Sequence, residues 1–371
     1  MEADNILLSR LTHTEAKIAE KVLKEERLSS QEGLQLYSFN PGTLGMLANY
    51  IREKKNQNYT YFNRNIHIEP SNICVYDCKF CSYHRKAGEE GSWEYSINNM
   101  IDLILPHKNK ITEVHIVGGV HPHRDIHFYI QLITAIKSIA PHLHIKAFTA
   151  VELDYMIKKA RLPLEEGLKL LKESGLDSIP GGGAEIFDDQ IRKELCHEKS
   201  SSEKWLKIHE AAHRADIPSN ATMLYGHIET KEQRIHHLNT LRNLQDKTGG
   251  FNAFIPLKFK SANNELSYIG EVNALEDMKN YAVSRIFLDN IPHIKAYWPM
   301  IGKDMSQLAL SFGVDDIDGT IDDSTKIYSM AGSEEQKPVM TINDIVKLIT
   351  AAKRIPVERD SVYNTIRTFD E

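Results

Sequence analysis

The most constraining feature of this chain is a run of short apolar, β-prone segments whose separations each leave room for one helix. They fall at Asn65–Ile68, Glu113–Val117, His144–Phe148, Leu176–Ile179, Asn220–Leu224, Ala253–Leu257 and His293–Trp298, with amphipathic stretches between them. That alternation is the signature of βα units in a parallel sheet. Trp205, Ile208 and Ala212 share one helical face, as do Leu275, Met278 and Ala282. Ser200-x-x-Glu203 and Thr230-x-x-Gln233 match the capping-box pattern at two helix starts. A weaker run at Val314–Ile317 supplies an eighth strand. Seven or eight such units in succession predict an α/β fold, a closed (β/α)8 TIM-type barrel, with its site on the loops after the strands. Residues 1–57 read as an amphipathic helical extension, with a turn at Asn40-Pro41-Gly42, and 58–371 as the barrel with a closing segment. Within that segment Ser333–Lys337 is a polar loop and Ile342–Lys353 a last helix.

Charge and hydropathy narrow the partners. The chain of 371 residues has 45 Lys and Arg against 51 Asp and Glu, a net charge of −6. Such a balance lacks the basic excess that binding to a phosphate backbone requires, so no nucleic acid is expected. No apolar run approaches the roughly 20 residues that span a bilayer, so no membrane is expected either. The start, Met1-Glu-Ala-Asp-Asn5, is acidic rather than basic and apolar, which predicts a cytoplasmic protein.

Three of only four cysteines fall within eight residues, Cys74, Cys78 and Cys81, spaced C-x3-C-x2-C on the loop after the first strand. Disulfides are rare in a reducing compartment, and residues this close bridge poorly, so metal or redox chemistry is the reading. A structural zinc needs four ligands; His84 is the one nearby candidate to complete it. Three thiolates also suit a [4Fe-4S] cluster with one iron left open. Cys196 stands apart as an ordinary buried thiol. After the second strand, Gly118 and Gly119 read either as a tight turn or as a place where backbone approaches a ligand.

The triplet, with Phe80 between its last two cysteines, resembles the radical S-adenosylmethionine (radical SAM) superfamily. The resemblance implies that Cys74, Cys78 and Cys81 hold a [4Fe-4S] cluster and that S-adenosylmethionine chelates the open iron. It further implies that Phe80 and the Gly118–Gly119 pair lie against that cofactor. Longer strings, His144-Ile-Lys-Ala-Phe-Thr-Ala-Val-Glu152, Leu176 to Phe187, Asn220 to Thr230, Gly249 to Leu257 and His293 to Trp298, are similar to the aminodeoxyfutalosine synthase family of menaquinone biosynthesis. Cyclic dehypoxanthinylfutalosine synthases and FO synthases share the same branch. A non-catalytic, zinc-stabilised binding barrel is the alternative of a different class.

The remaining strand ends supply further candidates. Glu152 and Glu185 can accept from ribose hydroxyls or balance the sulfonium; the plainer reading of each is a helix N-terminal Glu satisfying the helix dipole. Asn220, Tyr225 and His227 cluster after the fifth strand, and Pro256 in the sixth can free a carbonyl for adenine. Lys295 and Tyr297 share one face of the seventh strand. His121, beside the glycine pair, is a candidate pocket residue or a turn histidine. The implied reaction adds the 5′-deoxyadenosyl group to the vinyl carbon of 3-[(1-carboxyvinyl)oxy]benzoate. Aryl migration and loss of carboxylate then give 6-amino-6-deoxyfutalosine. His227, Lys295, Tyr225 and Lys258 are the expected catalytic and anchoring residues for this small anionic aromatic substrate, with Arg285 a weaker cation. A donor such as flavodoxin or ferredoxin is expected to supply electrons.

Overall fold

The computed structural model describes residues 11–369; the first ten residues of the expected helical extension, and the acidic start within them, lie outside the described residues. Among the described residues twelve strands are formed: β1 Tyr59–Phe62, β2 Asn65–Ile68, β3 Glu113–Ile116, β4 His144–Ala147, β5 Ser219–Tyr225, β6 Phe251–Lys258, β7 His293–Ala296, β8 Asp316–Ile317, β9 Ile321–Asp322, β10 Val339–Met340, β11 Ile355–Arg359 and β12 Thr365–Thr368.

Parallel pairing runs around a closed circuit. β2 pairs β3, with His67 opposite His115, and β3 pairs β4. Single bridges from Lys146 to Ser178 and from Ile179 to Ser219 carry the circuit across the fourth position. β5, β6, β7 and β8 follow in parallel, and an Arg64–Thr320 bridge returns to the start. The α/β barrel expected from the repeat is therefore present. Its fourth strand shrinks to two bridging residues, because Pro180 removes the next N–H donor and three glycines follow. β11 lies parallel to β1, and β12 antiparallel to β11, forming an outer flap that the strand repeat does not foreshadow. β9 and β10 make a separate hairpin.

Strand alternation decides which side chains face inward. On β5, Ser219 and Tyr225 point to the surrounding helices, where Ser219 Oγ lies 2.8 Å from His209 Nδ1 and the Tyr225 hydroxyl donates to Asp277 at 2.8 Å. Asn220, Thr222 and Leu224, on the other face, line the central cavity. Trp205, Ile208 and Ala212 are fully buried along helix Ser202–Arg214, as their spacing predicts, but Leu275 is 53% exposed. Thr230 and Gln233 form the expected capping box. Ser200 does not: its hydroxyl donates to Asp154 at 2.8 Å, and Ser201 caps the helix instead.

The amino-terminal helices His13–Leu23, Ser30–Leu36 and Pro41–Asn56 lie on the outside of the barrel. Gly33 permits close approach there, since a Cβ would stand 2.5 Å from the Phe287 ring. The barrel floor is ionic: Lys146 Nζ lies 2.6 Å from Glu113, Lys295 Nζ 3.1 Å from Asp318, and Arg359 Nε 2.6 Å from Asp316. Each of these charges is buried, and pairing offsets the cost of desolvating it.

Candidate active site

The loop that follows β2 folds back on the loop that follows β3. Cys74 N–H donates to the Arg85 carbonyl at 3.0 Å, Val75 N–H to Val120 at 2.9 Å, and Val120 N–H reaches Cys74 Sγ at 3.4 Å. The glycine pair makes this contact possible. A Cβ on Gly119 would lie 2.5 Å from the Ile73 carbonyl oxygen, and one on Gly118 2.8 Å from that of Ser71. Cys74, Cys78 and Cys81 are all free thiols lining one cavity of about 140 Å3, together with Phe80, Gly118, Gly119 and Lys199. Burial pushes the Cys74 and Cys78 thiols up; for Cys81 the same burial is outweighed by contact with His84, which holds it below the usual thiol value.

Three thiols and no fourth lining cysteine fit a cluster with one open iron. Both His84 ring nitrogens are engaged, Nδ1 3.1 Å from the Cys81 carbonyl and Nε2 2.8 Å from Asp77, so the histidine is not free to complete a zinc site. Among the described residues no three Cys, His, Asp or Glu side chains converge on a single-ion position.

A second cavity of about 310 Å3 occupies the barrel mouth and shares Phe80, Cys81, Tyr83, Gly118, Thr149 and Gly183 with the first. Its wall includes the predicted Glu185 and Asn220. Glu185 is buried and its carboxylate lies 2.5 Å from Lys199 Nζ; burial opposes ionisation, but the ammonium wins and lowers the carboxyl pKa. Glu152 sits one layer behind the glycine loop. It accepts from Gly118 N–H at 3.2 Å and from the Thr149 N–H and hydroxyl at 2.7 and 2.8 Å. It therefore caps helix Ala150–Lys159 and fixes the glycine loop at once, and its burial raises the pKa to about 7.

Other expected residues are placed elsewhere. Tyr225 faces the outer helices, because two-residue periodicity puts it opposite to Leu224. His227 is buried beside Glu229, with Nδ1 3.0 Å from the carboxylate and Nε2 3.2 Å from the Leu224 carbonyl, and does not line the cavity. Pro256 is on the outward face of β6, between the lining residues Ile255 and Leu257. Lys258 lines the edge of the cavity, but its ammonium donates to Asp277 and to the Val272 carbonyl, both at 2.8 Å. Lys295 does point inward on the same face as Tyr297, one layer deeper, where Asp318 and Asp316 take its charge. Arg285 is fully buried against Asp315, and His121 pairs with Glu94 at 3.1 Å.

The structure also adds residues that sequence reading passed over. His67, His115, Thr149, Thr222, Tyr83 and Tyr328 all line the larger cavity. His67 and His115 carried a signal: each is a polar residue between two apolar neighbours at the third position of a four-residue inner strand, so both face inward in register. Tyr328 had none. It reaches the mouth on a segment held by Glu69, whose buried carboxylate accepts from the Thr325 hydroxyl at 2.8 Å and the Lys326 N–H at 2.9 Å.

Comparison with known proteins agrees with this arrangement. Residues 68–241 match the radical SAM superfamily and residues 248–370 the CofH/MqnC C-terminal region. Aminodeoxyfutalosine synthase from Thermus thermophilus is 44% identical over 95% of this chain and 96% of its own. The 5-amino-6-(D-ribitylamino)uracil–L-tyrosine 4-hydroxyphenyl transferase of Methanococcoides burtonii is 37% identical over 91% of this chain and 96% of its own. In fold, methylornithine synthase (PylB) superposes with a TM-score of 0.74 at 16% identity, covering 92% of this chain and 97% of that one. The motif that resembles the superfamily, the barrel and these relatives agree: this chain belongs to the radical SAM enzymes, which use a [4Fe-4S] cluster and S-adenosylmethionine, in the group that carries the CofH/MqnC C-terminal region.

Proposed function

We propose that this chain is an aminodeoxyfutalosine synthase, transferring the 5′-deoxyadenosyl group of S-adenosylmethionine to 3-[(1-carboxyvinyl)oxy]benzoate to form 6-amino-6-deoxyfutalosine for menaquinone biosynthesis. The observation that carries this reading is the 44% identity to the Thermus synthase along nearly the whole of both chains, against 37% to the tyrosine transferase. Cys74, Cys78 and Cys81 would hold the cluster. When bound, that group supplies the electron that splits the sulfonium carbon–sulfur bond.

The protein's own work is placement and exclusion. Glu152, by fixing the Gly118 N–H and Thr149, sets the glycine loop against the cysteine loop. Glu185 and Asn220 present polar groups to the larger cavity, where an adenosyl group and a substrate alkene must meet. Holding the reacting carbons together replaces a bimolecular encounter by an intramolecular one. Ile327, Tyr328 and Ala331 line the cavity and would limit the access of water, which competes for a reactive carbon centre. The partners in this reading are a small anionic aromatic substrate and a one-electron donor such as flavodoxin or ferredoxin. The reading places the reaction in the cytoplasm; no helix among the described residues is long and apolar enough to cross a membrane.

The test is an anaerobic incubation of the iron-reconstituted, reduced enzyme with S-adenosylmethionine and the enolpyruvyl benzoate. An adenosylated, decarboxylated adduct with one methionine released per product is expected. Free 5′-deoxyadenosine alone, or product only from tyrosine and 5-amino-6-(D-ribitylamino)uracil, would overturn the assignment.

A further inference from the structure

The floor of the larger cavity is a wall of rings. His67 stacks on His115 with centroids 4.7 Å apart and planes 18° from parallel, Tyr297 continues the stack at 6.0 Å, and Tyr328 leans on Tyr297 at 5.3 Å. All four line the cavity. The His67 Nδ1 is 3.5 Å from the Tyr297 hydroxyl, while its Nε2 is buried with no hydrogen-bond partner, 3.6 Å from Asp318. No side chain among the described residues bonds to the His115 ring. Burial, reinforced by His67, lowers the His115 pKa to about 3, so at neutral pH it is an imidazole with one N–H to donate.

Every cationic side chain on this cavity already has a carboxylate: Lys258 has Asp277 and Lys260 has Glu271. An anionic ligand therefore finds its unspent donors on the ring wall rather than on a lysine. The wall also has a definite depth. His115 is three residues before Gly118 on one strand and loop, a rise of about 10 Å at about 3.3 Å per residue. The reacting vinyl carbon belongs at the glycine and cysteine end, so the opposite end of the substrate, the arene and its carboxylate, meets the histidines.

We propose that His115, stacked on His67 with Tyr297 continuing the stack beyond it, is the aryl-carboxylate subsite of this enzyme, with the imidazole N–H donating to the carboxylate and the ring wall packing against the arene. This inference rests on the function proposed above and adds the residues that select the substrate's remote end. Charge-assisted hydrogen bonds of this kind are the stronger sort, and a buried donor left without its acceptor penalises a ligand that lacks the group.

The test compares wild type, His115→Phe and His115→Leu on two substrates, the benzoate and its analogue without the ring carboxylate, with iron content measured for each protein. In wild type, KM is expected to be on the order of ten- to a hundredfold higher for the analogue. His115→Phe keeps the stacked ring but removes the donor; its KM for the benzoate rises to the analogue's value while its KM for the analogue stays put. His115→Asn, a neutral donor, restores part of the discrimination. His115→Leu, smaller and equally without a donor, carries the same comparison should His115→Phe fail to load iron. A His115→Phe or His115→Leu enzyme that discriminates as wild type does overturns the subsite. Wild type that makes no adduct from the benzoate overturns the proposed function itself and takes the subsite with it.

Discussion

The two ends of the barrel use polar residues in opposite ways. At the floor, Lys146, Glu113, Lys295, Asp316, Asp318 and Arg359 spend their charges on one another. At the mouth, three free thiols and the rings of His67, His115 and Tyr297 face the two cavities instead. The lesson is that a buried lysine in a barrel is not by itself a ligand group. What matters is whether a neighbouring carboxylate has already taken its charge, since an unpaired ammonium could not stay buried without one.

Several changes sharpen or break this contrast. The largest effect is expected at the mouth: Cys74→Ala, Cys78→Ala or Cys81→Ala each abolishes turnover and iron loading, whereas Cys196→Ala keeps most of both, as read by product formation and iron content. A Cys196 variant that loses iron would mean that the thiols divide differently. At the floor, Lys295→Met removes one member of a buried ionic cluster and leaves Asp316 and Asp318 under-compensated, at a cost of about 3–5 kcal/mol. Its thermal midpoint falls, while KM of the surviving protein is unchanged; a raised KM with unchanged midpoint would make Lys295 a substrate anchor after all.

A smaller effect is expected from Gly119→Ala. The new methyl must displace the Ile73 carbonyl, a strain of about 1–3 kcal/mol, and the readout is slower or incomplete cluster loading with little change in helix content. The smallest concerns Glu152. Its folded pKa of about 7 lies above the usual 4.5, chiefly through burial. The stability linked to it is thus complete below pH 4.5 and lost as pH rises through about 7. Glu152→Gln, which retains an acceptor for Gly118 N–H, should flatten that loss; an identical pH profile of the thermal midpoint in both proteins would show that Glu152 is ionised throughout.

How far the site could be read in advance varied with the range of the interaction. The cysteine loop, the glycine pair and the capping role of Glu152 follow from neighbours within a few residues, and Glu185 follows a glycine run just as local. Tyr225 is marked by its motif rather than by register, and strand alternation turns it outward. Lys295 was read with the right facing, yet its partners Asp316 and Asp318 come from the next strand of the ring, about 20 residues on, by the parallel pairing of β7 with β8. The histidine wall was visible as a shared strand position and was missed because no short motif marks it.

By itself the sequence determined the repeating βα order, the barrel and the C-x3-C-x2-C loop, since each depends on periodicity or spacing along one stretch of chain. Only the tertiary structure decided which inward groups remain available. That depends on closure of the ring, which brings residues as far apart as Arg64 and Thr320 together and cancels some charges while leaving His115 facing the cavity. Pairing in a low-dielectric interior is a property of neighbours in space, and sequence distance carries no record of it.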